Sequence, residues 1–373
     1  MNSNRPTEFS RVVVGGGLFG CYAAIHLASL GHDVLLLDKR SELMSQASTI
    51  NQARVHSGLH YPRSFLTAQD SAQRFAEFTS EFPNAINSFT HVYGLSRFNS
   101  KVTATTLLKL AKKLNIEVQP IEPNKWFNLA AVSDAIEVHE PTFDIGIVSQ
   151  EIKRRLETNS QVEIRKSTSL IGVSQLDPLI LELSDGSRIK TNGVVIAGYS
   201  QTNSIRTLFN LPLWPLQFEQ TEVLLGRIRD GMANMGFTVM DGPFFSIMPF
   251  GWSSLHSLTA VNLTPRRRAS IEPLFDCQTN SNSCSASDLQ DCTSCPYRPS
   301  SITDHFKQLL VRYFNSQDLF TTTTSLMTIK TILRHSHVDD ARPTIVHKEP
   351  NLNLWTILSG KVSSIFLLRE YLK

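Results

Sequence analysis

Three glycines spaced Gly15-x-Gly17-x-x-Gly20 sit between a β-branched run and a helical one, and they constrain this chain more than any other feature. Residues 11–14 end in three valines, as a short buried strand would. Residues 18–30 carry helical periodicity with the small residues Cys21, Ala23 and Ala24, and Gly31 is placed to end the helix. Residues 34–37 are wholly apolar, as expected of a buried parallel strand, and stop at Asp38. In such a unit Gly15 permits the tight turn, Gly17 admits a pyrophosphate against the backbone, and Gly20 lets the helix lie close to the sheet. The amides of Leu18 and Phe19, at the positive helix end, then face the phosphates. Asp38, followed by Lys39, is positioned to accept from the adenosine ribose hydroxyls. The unit predicts a dinucleotide without separating FAD from NAD.

At 373 residues the chain is long for one core, which predicts two domains. A net charge of +3 is too small over this length to imply a nucleic-acid or anionic-membrane partner. The basic run Arg266-Arg267-Arg268 reads as a solvated loop after a strand. No apolar stretch is long enough to span a bilayer, and the polar residues 1–10 carry no secretion-signal core, so a cytoplasmic location is expected.

Beyond the glycine unit, residues 63–88 and 103–114 read as amphipathic helices. Residues 162–173, 179–183 and the segment after Asp185-Gly186 read as a β-meander, followed by a buried strand at 194–196. From 217 to 265 the pattern alternates like antiparallel sheet, with strands at 222–225, 237–240, 244–248 and 255–263. Residues 277–300 form an irregular insertion. A helix at 303–314, strands near 328–333 and 354–358, and a closing helix at 361–372 complete the chain.

The loop after the second strand carries Ala47-Ser48-x-x-Asn51-Gln52 and then His56-x-Gly58-x-x-Tyr61. Here the sequence resembles the D-amino-acid-oxidase-like FAD-dependent oxidoreductases, nearest to the branch of glycerol-3-phosphate and L-2-hydroxyglutarate dehydrogenases. The resemblance implies FAD as cofactor, with Ser48, Asn51 and Gln52 beside the flavin ring and pyrophosphate. It also implies that Leu170 meets the adenine through its backbone and that the strand ending at Gly198 approaches the cofactor. Residues 339–344 resemble the family's late Arg-Pro motif. Ser359-Gly360-Lys361 resembles the Gly-Gly-Lys turn opening a last helix under the flavin, where amides and dipole would stabilise reduced flavin. Three departures stand out. No Asp-Gly follows Arg342-Pro343-Thr344, Ser359 replaces a glycine, and residues 240–246 have no family counterpart.

These readings predict an α/β protein in which a Rossmann-like FAD-binding domain (1–65, 140–200 and 325–373) interleaves with an α+β substrate domain on an antiparallel sheet (66–139 and 201–324). The expected activity is an FAD-dependent oxidase or dehydrogenase removing hydride from a C–H next to an amine or hydroxyl of a small anionic substrate. His56 and His60 are candidate general bases, and Arg342 a candidate clamp for the substrate's anionic group, with Arg54 and Arg63 as alternatives. Lys361 could bond flavin or substrate, or simply start a helix. Phe244, Phe245 and Trp252 suit either a pocket wall or core. No metal is expected. Among Cys277, Cys284, Cys292 and Cys295, only Cys292-x-x-Cys295 has zinc-knuckle spacing, and free thiols are the favoured state. Two rival readings are a flavin-dependent non-redox isomerase of the sugar-mutase kind and a non-catalytic flavin-binding subunit.

Overall fold

The structure is a computed structural model that describes residues 6–281, 283–334 and 344–373. Among these residues a six-stranded sheet runs in the order Ile345–Lys348, Leu354–Leu358, Val194–Ile196, Arg11–Val14, Val34–Leu37, Val162–Arg165. All its pairings are parallel except that of the edge strand Ile345–Lys348. The alternating directions of strand side chains explain why both faces are apolar. Val13 and Leu36 pack beneath the helices Leu18–Ser29 and Ile145–Glu157. Val12, Val14, Leu35 and Leu37 pack instead against the four-stranded sheet containing Leu170–Leu176 and Leu179–Leu183. Each such side chain, fully buried, contributes about 1.5–3 kcal/mol.

The helix Ile145–Glu157 did not emerge from the sequence. Its start is fixed by Asp144, whose Oδ1 accepts from Ile147 N at 3.1 Å, and Val148, Ile152 and Leu156 form its buried stripe. The expected helices at 63–88 and 103–114 are present as Phe65–Glu81 and Ala104–Leu114, the second capped by Thr103.

The second large sheet has nine strands among the described residues. Its backbone is the long strand Leu216–Ile228, paired antiparallel with Phe320–Leu333 along its whole length. The strand expected near 328–333 therefore belongs to this sheet. Strands Thr90–Ser96, Val118–Ile121 and Val132–Val138 also join it, from a region where the sequence reading placed only helices. Met235–Met240 pairs in parallel with Thr90–Ser96, so the sheet is mixed. Helix Thr303–Tyr313 lays Phe306, Leu310 and Tyr313 on one face, against Leu224, Phe237 and Phe245.

Two further expectations are corrected. Arg266-Arg267-Arg268 lies inside strand Pro265–Ser270, not in a solvated loop, because each guanidinium meets an acid: Glu222 at 2.9 Å, Asp276 at 2.7 Å and Glu219 at 3.2 Å respectively. The closing segment is a 3-10 helix, Val362–Leu367, with only the short α-helix Leu368–Tyr371 behind it. The paired serines and β-branched residues at 362–365 favour that tighter start. The architecture is α/β, a mainly parallel six-stranded sheet beside a large, mainly antiparallel nine-stranded one.

Candidate active site

A cavity of about 780 Å³ is lined from one side by the ends of the six-stranded sheet and from the other by the nine-stranded sheet. Every cofactor-binding residue expected from the sequence lines it except Gly20, which lies beneath the turn. At its first end the chain is shaped for a dinucleotide. Gly15 has φ +112°, and a Cβ there would stand 2.5 Å from the Ala197 carbonyl oxygen. A Cβ on Gly20 would come within 1.8 Å of the Gly15 oxygen, so helix and turn touch only because Gly20 lacks one. Gly17 opens toward the cavity, where a Cβ would meet only Ser48 Oγ at 3.4 Å.

Polar groups complete this cradle. Ser48 Oγ accepts from Leu18 N at 3.0 Å, pinning the 47–52 loop to the helix start while keeping a hydroxyl proton for a phosphate oxygen. Asn51 holds that loop from within, donating to Ser48 O at 2.9 Å and accepting from Ala53 N at 2.6 Å. Asp38 accepts from Gly16 N at 2.6 Å and from Arg40 N at 2.7 Å. Burial raises its carboxyl, and these two amides partly oppose the rise. Donors at the helix start, an acid at the strand end and a cavity wide enough for both halves fit FAD.

The irregular insertion forms a wall at this end. Its Ser287, Leu289, Gln290 and Cys292 line the cavity. Arg40 donates to the Leu289 carbonyl and to Gln290 Oε1, and Gln201 donates to the Ala286 carbonyl at 2.9 Å. Lys39 lines the cavity too, but its ammonium is engaged by Asp288 at 3.0 Å. Cys277, Cys284, Cys292 and Cys295 are all free thiols, and burial pushes Cys292 up to about 11.

At the other end stand His56, His60, Phe244 and Lys361. The two imidazoles stack with centroids 4.4 Å apart, and His60 meets the Phe244 ring edge-on at 4.6 Å. Phe244 reaches that place from the tight connection of residues 241–244, where Asp241, Gly242 and Phe244 all have positive φ. Lys361 Nζ lies 4.7 Å from the Tyr61 ring centre. Ser359, in place of a glycine, meets Thr344 Oγ1 at 2.8 Å and accepts from Lys361 N at 3.2 Å, tying down the turn. By contrast, Phe245 is core, and Trp252 is exposed and outside the cavity.

Behind the histidines lies a buried polar network. Glu140 Oε2 accepts from Arg54 Nε at 2.6 Å and from Tyr93 Oη at 2.5 Å, while Oε1 accepts from Ser57 N at 2.8 Å. Arg54 also reaches Ser246 and Thr238. Burial alone would raise Glu140, but Arg54 and then His56 outweigh it and hold the carboxyl well below the usual range. Arg54 is thus a structural ion-pair partner and not an open clamp. Glu140 and Tyr93 escaped the sequence reading. The one available signal was an acid at the end of an alternating strand, in His139-Glu140-Pro141. Arg342 lies outside the described residues, and Arg63 does not line the cavity.

A family model described as DAO, FAD dependent oxidoreductase, matches residues 11–251. Among curated proteins, the FAD-dependent monooxygenase FPY4 of Fusarium mangiferae is 38% identical over 71 residues, 19% of each chain. The FAD-dependent monooxygenase kojA of Aspergillus flavus is 32% identical over 80 residues, 21% of this chain and 19% of that one. The chain thus aligns with about a fifth of the length of these relatives. Glycine oxidase from Geobacillus kaustophilus is similar over 98% of this chain and 92% of its own, with 14% identity and a TM-score of 0.68. L-α-glycerophosphate oxidase from Mycoplasma pneumoniae covers 98% and 93%, with 12% identity and a TM-score of 0.71.

Proposed function

The chain belongs to the DAO family of FAD dependent oxidoreductases, and from that premise we propose that it oxidises a small substrate at a C–H bond beside a hydroxyl or amine. The observation that carries this reading is the continuity of one cavity, from the dinucleotide cradle to a wall of two histidines, an aromatic ring and a lysine. FAD, when bound, supplies the hydride acceptor. Gly15, Gly17, Leu18, Phe19, Asp38, Ser48, Asn51 and Gln52 would hold it, with the Leu170, Gly198 and Gly360 backbones along its length.

The chain's own residues do the rest. Phe244 excludes water from the histidine end and limits the size of what enters. Lys361 brings a positive charge there, and Arg342, on our reading, supplies a bidentate clamp for a carboxylate or phosphate. His56 or His60 accepts the proton of the hydroxyl or ammonium group, the electron pair staying on the heteroatom. The glycine oxidase and glycerophosphate oxidase likenesses support the amine-or-hydroxyl class without choosing between them.

The test is anaerobic mixing of the FAD-loaded protein with panels of hydroxy acids, amino acids and amino sugars. Bleaching of the flavin by a member of one panel is the expected result. If none bleaches it, while dithionite does, the reading is wrong. Arg342→Ala should then weaken reduction by the identified substrate while leaving FAD content unchanged, and an unimpaired variant would remove the clamp.

A further inference from the structure

One buried carboxylate behind the cavity wall takes no part in the reaction as proposed so far. Glu140 has its carboxylate fully out of solvent behind His56, and Oε1 stands 3.7 Å from His56 Nδ1. That Nδ1 is itself buried and makes no hydrogen bond among the described residues. The rest of the imidazole keeps about a fifth of its surface open and lines the cavity. The ring thus turns Nδ1 to a carboxylate while its exposed part lines the cleft.

We propose that Glu140 is a positioning residue for His56, fixing its proton on Nδ1 and leaving Nε2 to accept the substrate proton. This rests on the reading of His56 as the base. An acceptor placed on one ring nitrogen selects the tautomer protonated there, and a negative charge behind the ring stabilises the imidazolium formed after proton transfer. The separation of 3.7 Å is longer than a hydrogen bond, and such contacts tighten when a site fills.

His56 could instead be a metal ligand, since ligand atoms of His56, His60 and Glu140 lie within 4.8 Å of one another. The charge balance argues against it. Glu140 already accepts from Arg54, Tyr93 and Ser57, and Arg54 cancels its charge at 2.5 Å. A divalent cation would then sit beside a buried guanidinium with no net negative charge to hold it.

The groups facing His56 set its basicity in opposite senses. Burial lowers it most, Glu140 raises it, and Arg54 and Lys361 lower it again, so that it lies below the ordinary histidine value. His60 and Tyr61 contact the ring, and His91, driven to about 3 by burial and then by Arg54, stays neutral. Glu140→Gln removes the one group that raises His56. Ser57→Ala has the contrary effect, because it frees Oε1 of a hydroxyl donor at 3.2 Å and leaves it a better acceptor for Nδ1–H.

The test is nitrogen NMR of histidine-labelled FAD-bound protein, titrated through the imidazole range, beside the pH profile of anaerobic flavin reduction. His56 in the wild type should carry its proton on Nδ1. Its pKa, and the acid limb of the profile, should move down by about tenfold in proton concentration in Glu140→Gln and move up in Ser57→Ala. A proton on Nε2 overturns the proposal, as does the same titration in all three proteins or one equivalent of tightly bound metal. Should Glu140→Gln fail to fold, the upward shift in Ser57→Ala still decides. If His56→Asn reduces flavin at the wild-type rate, the base reading fails, whereas the tautomer and the opposed shifts report on the pair alone.

Discussion

Asp38 has two roles on our proposal: holding the ribose, and tying the turn, as it already does through Gly16 N and Arg40 N. Hydrogen bonds to a charged acceptor contribute about 1.5–3 kcal/mol each. Asp38→Ala should therefore weaken FAD binding by at least tenfold in a fluorescence titration, and an unchanged affinity would remove Asp38 from the site. Arg54 offers a sharper test because its partner is buried. Arg54→Met strands the Glu140 charge and should destabilise the protein by about 3–5 kcal/mol near neutral pH. The pH dependence follows from the sign of each shift. In the wild type Glu140 is depressed by Arg54, so its contribution is present above the unfolded carboxylate value and fades only as pH falls through the depressed one. Without Arg54, burial dominates and Glu140 is raised, so the variant suffers most at high pH and recovers as acid protonates it. Melting temperatures from pH 8 to pH 5 should show the gap closing. A constant gap would mean that Arg54 acts through packing alone.

The insertion of residues 277–300 is the element whose role the sequence left blank. Its composition predicted an irregular loop, and apart from the 3-10 turn Asp276–Asn280 that is the form of its described residues. Its position was not legible, because its anchors are long-range: Arg40 to Leu289 and Gln290, and Gln201 to Ala286. Arg40→Ala should speed FAD dissociation about three- to tenfold, from the loss of about 0.5–1.5 kcal/mol. Lys39→Ala should do less, since the Lys39–Asp288 pair is partly solvated. Identical release rates in all three proteins would leave the insertion as a bystander. The contrast between readable and unreadable elements has a physical basis. The glycine unit was read because strand, turn, helix and acid are contiguous in sequence. Strand Thr90–Ser96 was missed because only its pairing with Val132–Val138 and Met235–Met240 makes it a strand. Glu140 was missed for the same reason, its meaning lying in Arg54, eighty-six residues away.

At the scale of the whole molecule, the cofactor should act as the cement between two sheets that share a cavity. Residues 15–19, 47, 48 and 50–52 approach it from the six-stranded side. Residues 219, 221 and 223, with 328–330 and 332, approach it from the long paired strands Leu216–Ile228 and Phe320–Leu333. A ligand that binds only the folded state stabilises it by about 2.7 kcal/mol at a hundredfold excess over its Kd. Because the wall is shared, that stabilisation cannot stay on one side. Stripping FAD should lower the melting temperature, and adding it back should restore a single transition. Hydrogen exchange gives the spatial form of the same statement, since protection reports the free energy of local opening. Adding FAD to stripped protein should slow exchange in 16–20 and 47–52, and equally in 219–223 and 328–332. Helix Ala104–Leu114, which packs on the large sheet among Tyr93, Leu95 and Ile136 and does not line the cavity, should change little and serves as the internal control. Protection confined to the glycine unit would show that the cofactor is held by the six-stranded sheet alone. The nine-stranded sheet would then meet only the substrate.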